Sequence, residues 1–500
     1  MKIFPSKLKG IVKVPPSKSI SHRALIAAAL SNGECRVNNL IFSNDMYATM
    51  DGLKALGYQF SLNAESVDVS YSGTTSDVIN CRESGSTVRF MIPIAMTKLD
   101  HVTFNGENNL VKRPLDVYTD LFDEFKIPYQ KGADYLPLTV DGRLKNGIYN
   151  IRGDISSQFI TGLLMSLPML DGDSVINITT NLESKGYVDL TLDVLKDFGI
   201  EIINNDYKSF IVRGNQKYSS RDYFVEGDYS QAAFWLVLGT LNGDIYLDGM
   251  NPNSHQGDKQ IIEFINQMGG DCHFDEYLVA KKAKTHGSII DLSQAPDLGP
   301  IITVLAALSE GKTEIINAER LRIKESDRIT AITTELNKLG ADITETKDGM
   351  IINGVDHFEG GVIVDSWNDH RIAMALAIAS TRCLKPISLT NSKAINKSYP
   401  HFFDQFKELG GNILNDLEEA RSNINEIDSQ IVSLFEKRMN EVKKVISYKK
   451  ANNMPILDQG REDKVIENVI NKLNNKELSS YLKELYLTMM KVSKDFQNEK

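Results

Sequence analysis

Cysteine is scarce in this chain of 500 residues. Its four copies, Cys35, Cys81, Cys272 and Cys383, lie far apart, with no C-x-x-C pair. That spacing argues against both a disulfide framework and a cysteine-based zinc site. The eight histidines are scattered too, so no metal is expected. No apolar run approaches a membrane span, and Met1 to Ser21 holds lysines and prolines but no apolar signal core. The expectation is a cytoplasmic protein with no membrane partner. A basic excess is also missing: 56 lysines and arginines face 66 acidic residues, for a net charge of −10. Nucleic acid is therefore not an expected partner. What remains is ordinary for a globular chain, with 42% hydrophobic and 24% charged residues. Its length suits about three domains at roughly 150 residues each.

Glycine and proline almost vanish near the end. Of 34 glycines only Gly460 follows Gly411, and Pro455 is the only late proline of 14. From Asp416 to Lys500 there are 15 acidic and 15 basic residues, so the first 415 residues hold the whole net charge. A glycine-poor, charge-mixed tail reads as helical. The front instead repeats. An apolar helix-like segment, a glycine and a strand-like segment recur at Leu56-Gly57, Phe198-Gly199, Met268-Gly269, Leu339-Gly340 and Leu409-Gly410. A degenerate copy stands at Phe125-Lys126, and successive intervals are 69, 73, 70, 71 and 70 residues. One such junction is an ordinary αβ turn with a left-handed cap. Six at nearly constant spacing predict six α/β units, grouped as two compact lobes of three.

Several motifs offer places for an anion. Pro15-Pro16-Ser17-Lys18-Ser19-Ile20-Ser21-His22-Arg23 precedes a helix-forming stretch, with serine caps and two cations at its start. On charge spacing alone this is equally a capped helix with solvated cations. Glu83-Ser84-Gly85-Ser86-Thr87-Val88-Arg89, Lys112-Arg113-Pro114 and Asp154-Ile155-Ser156-Ser157-Gln158-Phe159 are each, alone, ordinary turns or helix starts. Arg320 to Arg328 packs four cations with two acids, and Asn368-Asp369-His370-Arg371 precedes an apolar helix. Any one cluster is more simply a salt-bridged surface. Several in an otherwise acidic chain point to a small, multiply anionic ligand.

P-P-S-K-S-I-S-H-R-A-L, E-S-G-S-T-V-R-F, K-R-P-L, S-S-Q-F-I-T-G-L-L-M, R-I-K-E-S-D-R and N-D-H-R-I-A-M-A follow one another in this order. Together, over residues 1 to about 415, they resemble the 5-enolpyruvylshikimate-3-phosphate synthases (3-phosphoshikimate 1-carboxyvinyltransferases). The resemblance implies a mixed α/β fold, a two-lobed inside-out prism of six βαβαββ units. It places lobe I at residues 1–15 and 227–415 and lobe II at 16–226. The implied reaction moves the enolpyruvyl group of phosphoenolpyruvate to the 5-hydroxyl of shikimate 3-phosphate, releasing phosphate, with no cofactor. Shikimate 3-phosphate would meet Lys18, Ser19, Arg23, Ser156, Ser157, Gln158, Ser184, Asp297 and Lys324. Phosphoenolpyruvate would meet Lys18, Gly85, Arg113, Gln158, Arg328, Arg371 and Lys397. Asp297 matches the proton acceptor and Glu325 the candidate donor, with Lys18 and Lys397 able to share the work. Glu83 and Arg320 stand where relatives often carry Asn. Gly85, kept small, implies inhibition by glyphosate. A related enolpyruvyl transferase acting on a nucleotide sugar is the alternative within this class.

The tail has its own pattern. Leu417, Ile424, Ile431 and Val445 repeat at multiples of seven, with Ala420, Ile427 and Leu434 three further on. This is a long helix with a partner-facing stripe. Arg438 occupies that stripe, and Lys449 lies three turns later. A coiled-coil dimer with snorkelling cations accounts for the pattern alone. Ala420-Arg421, Ile427-Asp428, Glu436-Lys437-Arg438, Lys449, Pro455-Ile456-Leu457-Asp458 and Arg461-Glu462 resemble the all-helical chorismate mutases. That resemblance implies an all-α three-helix domain over 416–500, with helices near 416–451, 458–474 and 477–497, and a homodimer formed through this tail. Chorismate would meet Arg421 (from the partner chain), Arg438, Lys449, Asp458, Arg461, Glu462, Ser493 and Gln497, with Lys449 and Gln497 facing the breaking ether bond. A non-catalytic dimerisation or effector-binding tail is the alternative.

Overall fold

The computed structural model describes residues 1–31, 33–73, 75–455 and 459–499. They form two compact units, Met1–Leu414 and Asn415–Lys500. Among the described residues the first unit contains six four-stranded sheets. In four of them the strands lie in the order first, second, fourth, third; in the other two, Lys2–Phe4 or Tyr223–Phe224 joins three strands from a distant part of the chain. In the sheet of Val78–Asn80, His101–Asn105, Leu138–Asp141 and Tyr129–Lys131, the first pair is parallel and the other two are antiparallel. A helix follows each of the first two strands, which gives βαβαββ. All six junctions expected from the spacing turn through positive φ: Gly57 at 94°, Lys126 at 53°, Gly199 at 79°, Gly269 at 87°, Gly340 at 100° and Gly410 at 104°. Lys126 shows why one copy looked degenerate. A lysine there tolerates the left-handed cap that glycine takes without strain.

Three strands join sheets built from distant parts of the chain. Gly10–Lys13 pairs in parallel with Ile245–Asp248. Tyr223–Phe224 pairs in parallel with Cys35–Asn38. Lys2–Phe4 inserts between Ile387–Thr390 and Asn412–Leu414. Accordingly there are two hydrophobic cores, one built from Ile3–Val14 with Tyr229–Ile413 and one from Ile20–Val225. The two helices of a unit differ. The first is buried nearly all round: in Lys18–Leu30 every residue from Ile20 onward is buried, including His22 and Arg23. The second, such as Asp116–Phe125, has one apolar face inward and acids outward. Each large aliphatic side chain enclosed this way contributes about 1.5–3 kcal/mol.

The second unit is a helix Asp416–Ala451, a helix Gln459–Asn471, a 3₁₀ turn Lys476–Leu478 and a helix Ser479–Glu499. A capping box opens the first: Asn415 accepts from the Glu418 amide and the Glu418 carboxylate accepts from the Asn415 amide. No helix among the described residues is long and apolar enough to cross a membrane.

Candidate active site

The six buried helices of the first unit start at one place. Lys18, Gly85, Ser157, Ser230, Arg371 and, just before its helix, Asp297 all line one cleft that opens to solvent. Local chemistry fixes these starts. Ser17, Ser84, Ser156, Asp228 and Asp369 each accept a hydrogen bond from a first-turn backbone amide. Converging helix N-termini place several partial positive charges around one volume, which favours an anion.

The side chains divide by lobe. On the lobe built from 20–225, Arg23 is 2% exposed and spends its donors on Thr191, Thr161 and the carbonyls of Ser19 and Tyr187. Arg89 donates to Gln158 at 2.7 Å and lies over the Phe159 ring. Burial brings Arg23 down to about 10 and, with Arg113 nearby, Arg89 down to about 9. Among the described residues neither has a carboxylate in ion-pair range. Gln158 in turn donates to Ser86 at 2.8 Å, so its amide is held from both ends. Lys18 pairs with Asp45 at 2.9 Å. Burial lowers the Lys18 pKa, but Asp45 and Glu325 outweigh that, and it remains a protonated ammonium.

The facing lobe caps its cations with its own acids. Asp297 meets Arg328 at 2.9 Å, Arg371 at 3.1 Å and Lys324 at 3.2 Å. Glu325 meets Arg328 at 2.6 Å and, across the cleft, Arg113 at 3.7 Å. Burial raises both carboxyls, yet Arg371, Lys324 and Arg328 hold Asp297 well below the carboxylate range, and Arg328 and Arg113 do so for Glu325. Both are therefore ionised at neutral pH. Further bridges span the lobes: Glu183 to Arg320 at 2.5 Å and Glu83 to Lys397 at 2.6 Å. A Cβ on Gly85 would lie 2.5 Å from Nη1 of Arg113, so only glycine lets that guanidinium rest where it does.

Of the expected transferase residues, Lys18, Ser19, Arg23, Gly85, Arg113, Ser156, Ser157, Gln158, Ser184, Asp297, Lys324, Glu325, Arg328 and Arg371 all line this cleft. Lys397 does not; its ammonium is held by Glu83 and the Asn368 carbonyl. Arg89, read from sequence as a plain helix start, is a wall residue, and so are Asp45, Tyr187, Arg320 and His370. Asp45 and Tyr187 gave no signal, being single polar residues in unremarkable helical stretches.

In the second unit, Arg438 donates to Ser493 at 2.5 Å and Glu462 pairs with Lys494 at 3.0 Å. Ser493 is buried, and Gln497 has a buried carbonyl oxygen with no hydrogen-bond partner among the described residues. Lys449 is half-buried, while Arg421 and Arg461 are exposed. Asp458 lies outside the described residues. The heptad stripe stays uncovered in the single chain: Leu417, Ile424, Ile427, Ile431, Leu434 and Val445 are all exposed.

Residues 4–406 match the family model of EPSP synthase (3-phosphoshikimate 1-carboxyvinyltransferase). The chain belongs to the EPSP synthase family. A 3-phosphoshikimate 1-carboxyvinyltransferase of Clostridium novyi (strain NT) is 52% identical over 424 residues, covering 82% of this chain and 97% of that protein. One of Clostridium acetobutylicum is 52% identical over 420 residues, covering 83% and 98%. The EPSP synthase structure of Acinetobacter baumannii superimposes with a TM-score of 0.70 at 24% identity, over 82% of this chain and 98% of that one. An enolpyruvyl transferase structure from Streptomyces tendae gives 0.67 at 16% identity, over 82% and 97%. At these identities the two structures establish the EPSP synthase fold alone. Residues 420–498 match the chorismate mutase type II model, so this EPSP synthase family member also contains a chorismate mutase domain.

Proposed function

We propose that the first unit joins phosphoenolpyruvate to shikimate 3-phosphate and that the second rearranges chorismate to prephenate as a homodimer. The transferase reading is supported chiefly by one contrast: among the described residues buried Arg23 and Arg89 have no carboxylate in ion-pair range, opposite cations that are already capped. The phosphate of one substrate satisfies the first set. The carboxylate and phosphate of the other compete with Asp297 and Glu325 for Arg113, Arg328 and Arg371. The names of the Clostridium relatives support this pair of substrates over a nucleotide sugar.

In the addition, Asp297 accepts the 5-hydroxyl proton as that oxygen bonds C2 of phosphoenolpyruvate, and a proton is delivered to C3. Lys18 holds a proton in the resting site; ionised Glu325 does not. Glu325 becomes a donor only once substrate draws Arg328 and Arg113 away from it. In the elimination, C3 returns its proton and the C2–O bond to phosphate breaks, with the electron pair leaving on phosphate. Ser19, Ser156, Ser157, Ser184 and Lys324 hold the ring and its phosphate still, which is where most of the barrier is lowered.

The mutase reaction is a concerted rearrangement without proton transfer. It needs cations at two carboxylates, met by Arg438, Arg461 and the partner's copy of position 421, and donors at the ether oxygen, met by Lys449 and Gln497. Asp458, Glu462 and Ser493 complete the proposed wall. The uncovered stripe supports dimerisation, because six exposed aliphatic residues on one helix are costly in water. A cytoplasmic place belongs to the same proposal, and cell fractionation checks it.

Two assays on the full chain test these readings. Asp297→Asn is expected to lower transferase turnover by about 10²- to 10⁴-fold. Chorismate consumption is expected in the wild type and lost in Arg438→Ala. A folded, dimeric wild type that leaves chorismate untouched would instead make the tail an assembly or effector-binding module.

A further inference from the structure

Asp258 is 2% exposed and stands behind the wall of the cleft, in a 3₁₀ turn Gly257–Gln260. Its Oδ2 lies 3.0 Å from the phenolic oxygen of Tyr187, which lies 3.2 Å from Oδ2 of Asp297. Ser230 donates to the same Asp258 oxygen, and Oδ1 is buried with no hydrogen-bond partner among the described residues. One phenol carries one proton, so it donates to one carboxylate at a time. The other short contact becomes a hydrogen bond only when that carboxyl is itself protonated. Asp258, with one oxygen dry and unpartnered, is the poorer place for a resting charge.

We propose that Asp258 is the proton store of the transferase site, exchanging protons with Asp297 through the Tyr187 hydroxyl. This rests on the reading of Asp297 as acceptor of the substrate hydroxyl proton. After the addition Asp297 passes that proton to the Tyr187 oxygen, while Tyr187 passes its own to Asp258. Asp297 ends ionised, Tyr187 ends as the neutral phenol, and Asp258 ends protonated. The reverse path returns the proton to the departing phosphate, so none is gained or lost. Asp258 touches no substrate; it acts on Asp297 through Tyr187.

The groups facing Asp258 give the path its direction. Tyr187, Asp228, Ser230, Asp297 and Arg371 surround it. Burial, then the Asp297 charge, pushes Asp258 up to about 6 against the pull of Arg371 and Ser230. Asp297, held low by Arg371, Lys324 and Arg328, gives its proton up to that site. Burial and both carboxylates push Tyr187 well above the phenol range, so it relays without ionising. Tyr187 comes from one lobe and both aspartates from the other, so the relay exists only with the lobes together. The neighbouring residues make that approach possible: a Cβ on Gly186 would lie 2.7 Å from the backbone nitrogen of Gly257.

The test is kcat and KM for both substrates, from about pH 5 to about pH 9, in the wild type, Asp258→Asn, Tyr187→Phe and the double variant. In the wild type a proton already on Asp258 blocks the relay, so kcat falls as pH drops through about 6. Asp258→Asn keeps an acceptor for Tyr187 but takes no proton. Its kcat is expected to be on the order of 100-fold lower with both KM values little changed, and without the acid limb. Tyr187→Phe is expected to lose the same limb, and the double variant to be no worse than the poorer single one. An acid limb retained in Asp258→Asn, or losses that multiply, would overturn the relay; should Asp258→Asn fold poorly, the limb in Tyr187→Phe decides. Asp297→Asn separates the two claims. If it keeps turnover, the base assignment fails and the relay with it; if it loses turnover while Asp258→Asn behaves as wild type, only the relay fails.

Discussion

The two units reach their candidate sites by opposite routes. In the first, six buried helices from two lobes of one chain converge, and the cations that face the cleft are buried and fixed by hydrogen bonds within that chain. In the second, one long helix presents aliphatic residues to water and Arg421 stays exposed. One site is finished by intramolecular packing; the other, on our proposal, is finished by a second copy. The difference is one of surface-to-volume ratio. Eighty-six residues arranged as three helices cannot bury both faces of a 36-residue helix, whereas the larger unit encloses two full cores.

A charge in the stripe should separate the two units. Ile431→Asp puts a carboxylate in the middle of it, and desolvating that charge at an apolar interface costs several kcal/mol. The expected outcome is a monomer by analytical ultracentrifugation, with chorismate consumption abolished and transferase turnover within about twofold of wild type. A dimer that survives, or mutase activity in the monomer, would mean the tail site is complete within one chain.

Much of the architecture was legible because it repeats. Six junctions at an interval near 70 residues require the same left-handed turn, and the backbone supplies it even at Lys126. The tail boundary was legible for a different reason: losing glycine and proline removes every means of turning except at helix ends. The cleft was less so. Lys18, Arg113, Arg328 and Arg371 announce themselves through clustered charge, but Tyr187 and Asp258 are 71 positions apart and meet only because the lobes close. Nothing local marks either one, since a tyrosine in a helix and an aspartate in a G-D-K-Q turn are ordinary residues in ordinary places. Arg89 failed as a prediction for a related reason. Its guanidinium reaches the cleft only because Gln158 and Phe159 from the next unit lie beneath it.

Gly85→Ala forces Arg113 to retreat from the 2.5 Å approach its Nη1 makes to the new Cβ position. A hydrogen bond to a charged group is worth about 1.5–3 kcal/mol, so KM for phosphoenolpyruvate should rise about 10- to 100-fold. Shikimate 3-phosphate, held on Arg23 and the serines, should keep its KM. Glyphosate inhibition is expected in the wild type and should weaken in parallel; an unchanged inhibition curve in the variant would show that Arg113 moves without consequence.

The smallest expected effect concerns the clasp at the edge of the cleft. Glu83 receives Lys397 at 2.6 Å and Asn108 at 3.0 Å, and its partner lysine comes from the opposite lobe. The pair is partly exposed, with side-chain exposures of 26% and 11%, so its Coulomb energy is screened to about 1 kcal/mol or less. If Lys397 contacts phosphoenolpyruvate, that ligand must first displace Glu83. Glu83→Gln keeps an acceptor for Lys397 and removes the competing charge. KM for phosphoenolpyruvate should then fall by up to about fivefold, which is 1 kcal/mol at 25 °C, with a weaker dependence on salt than in the wild type. A rise in KM would show instead that the clasp helps hold the lobes together, and that closing them matters more to this substrate than freeing the lysine.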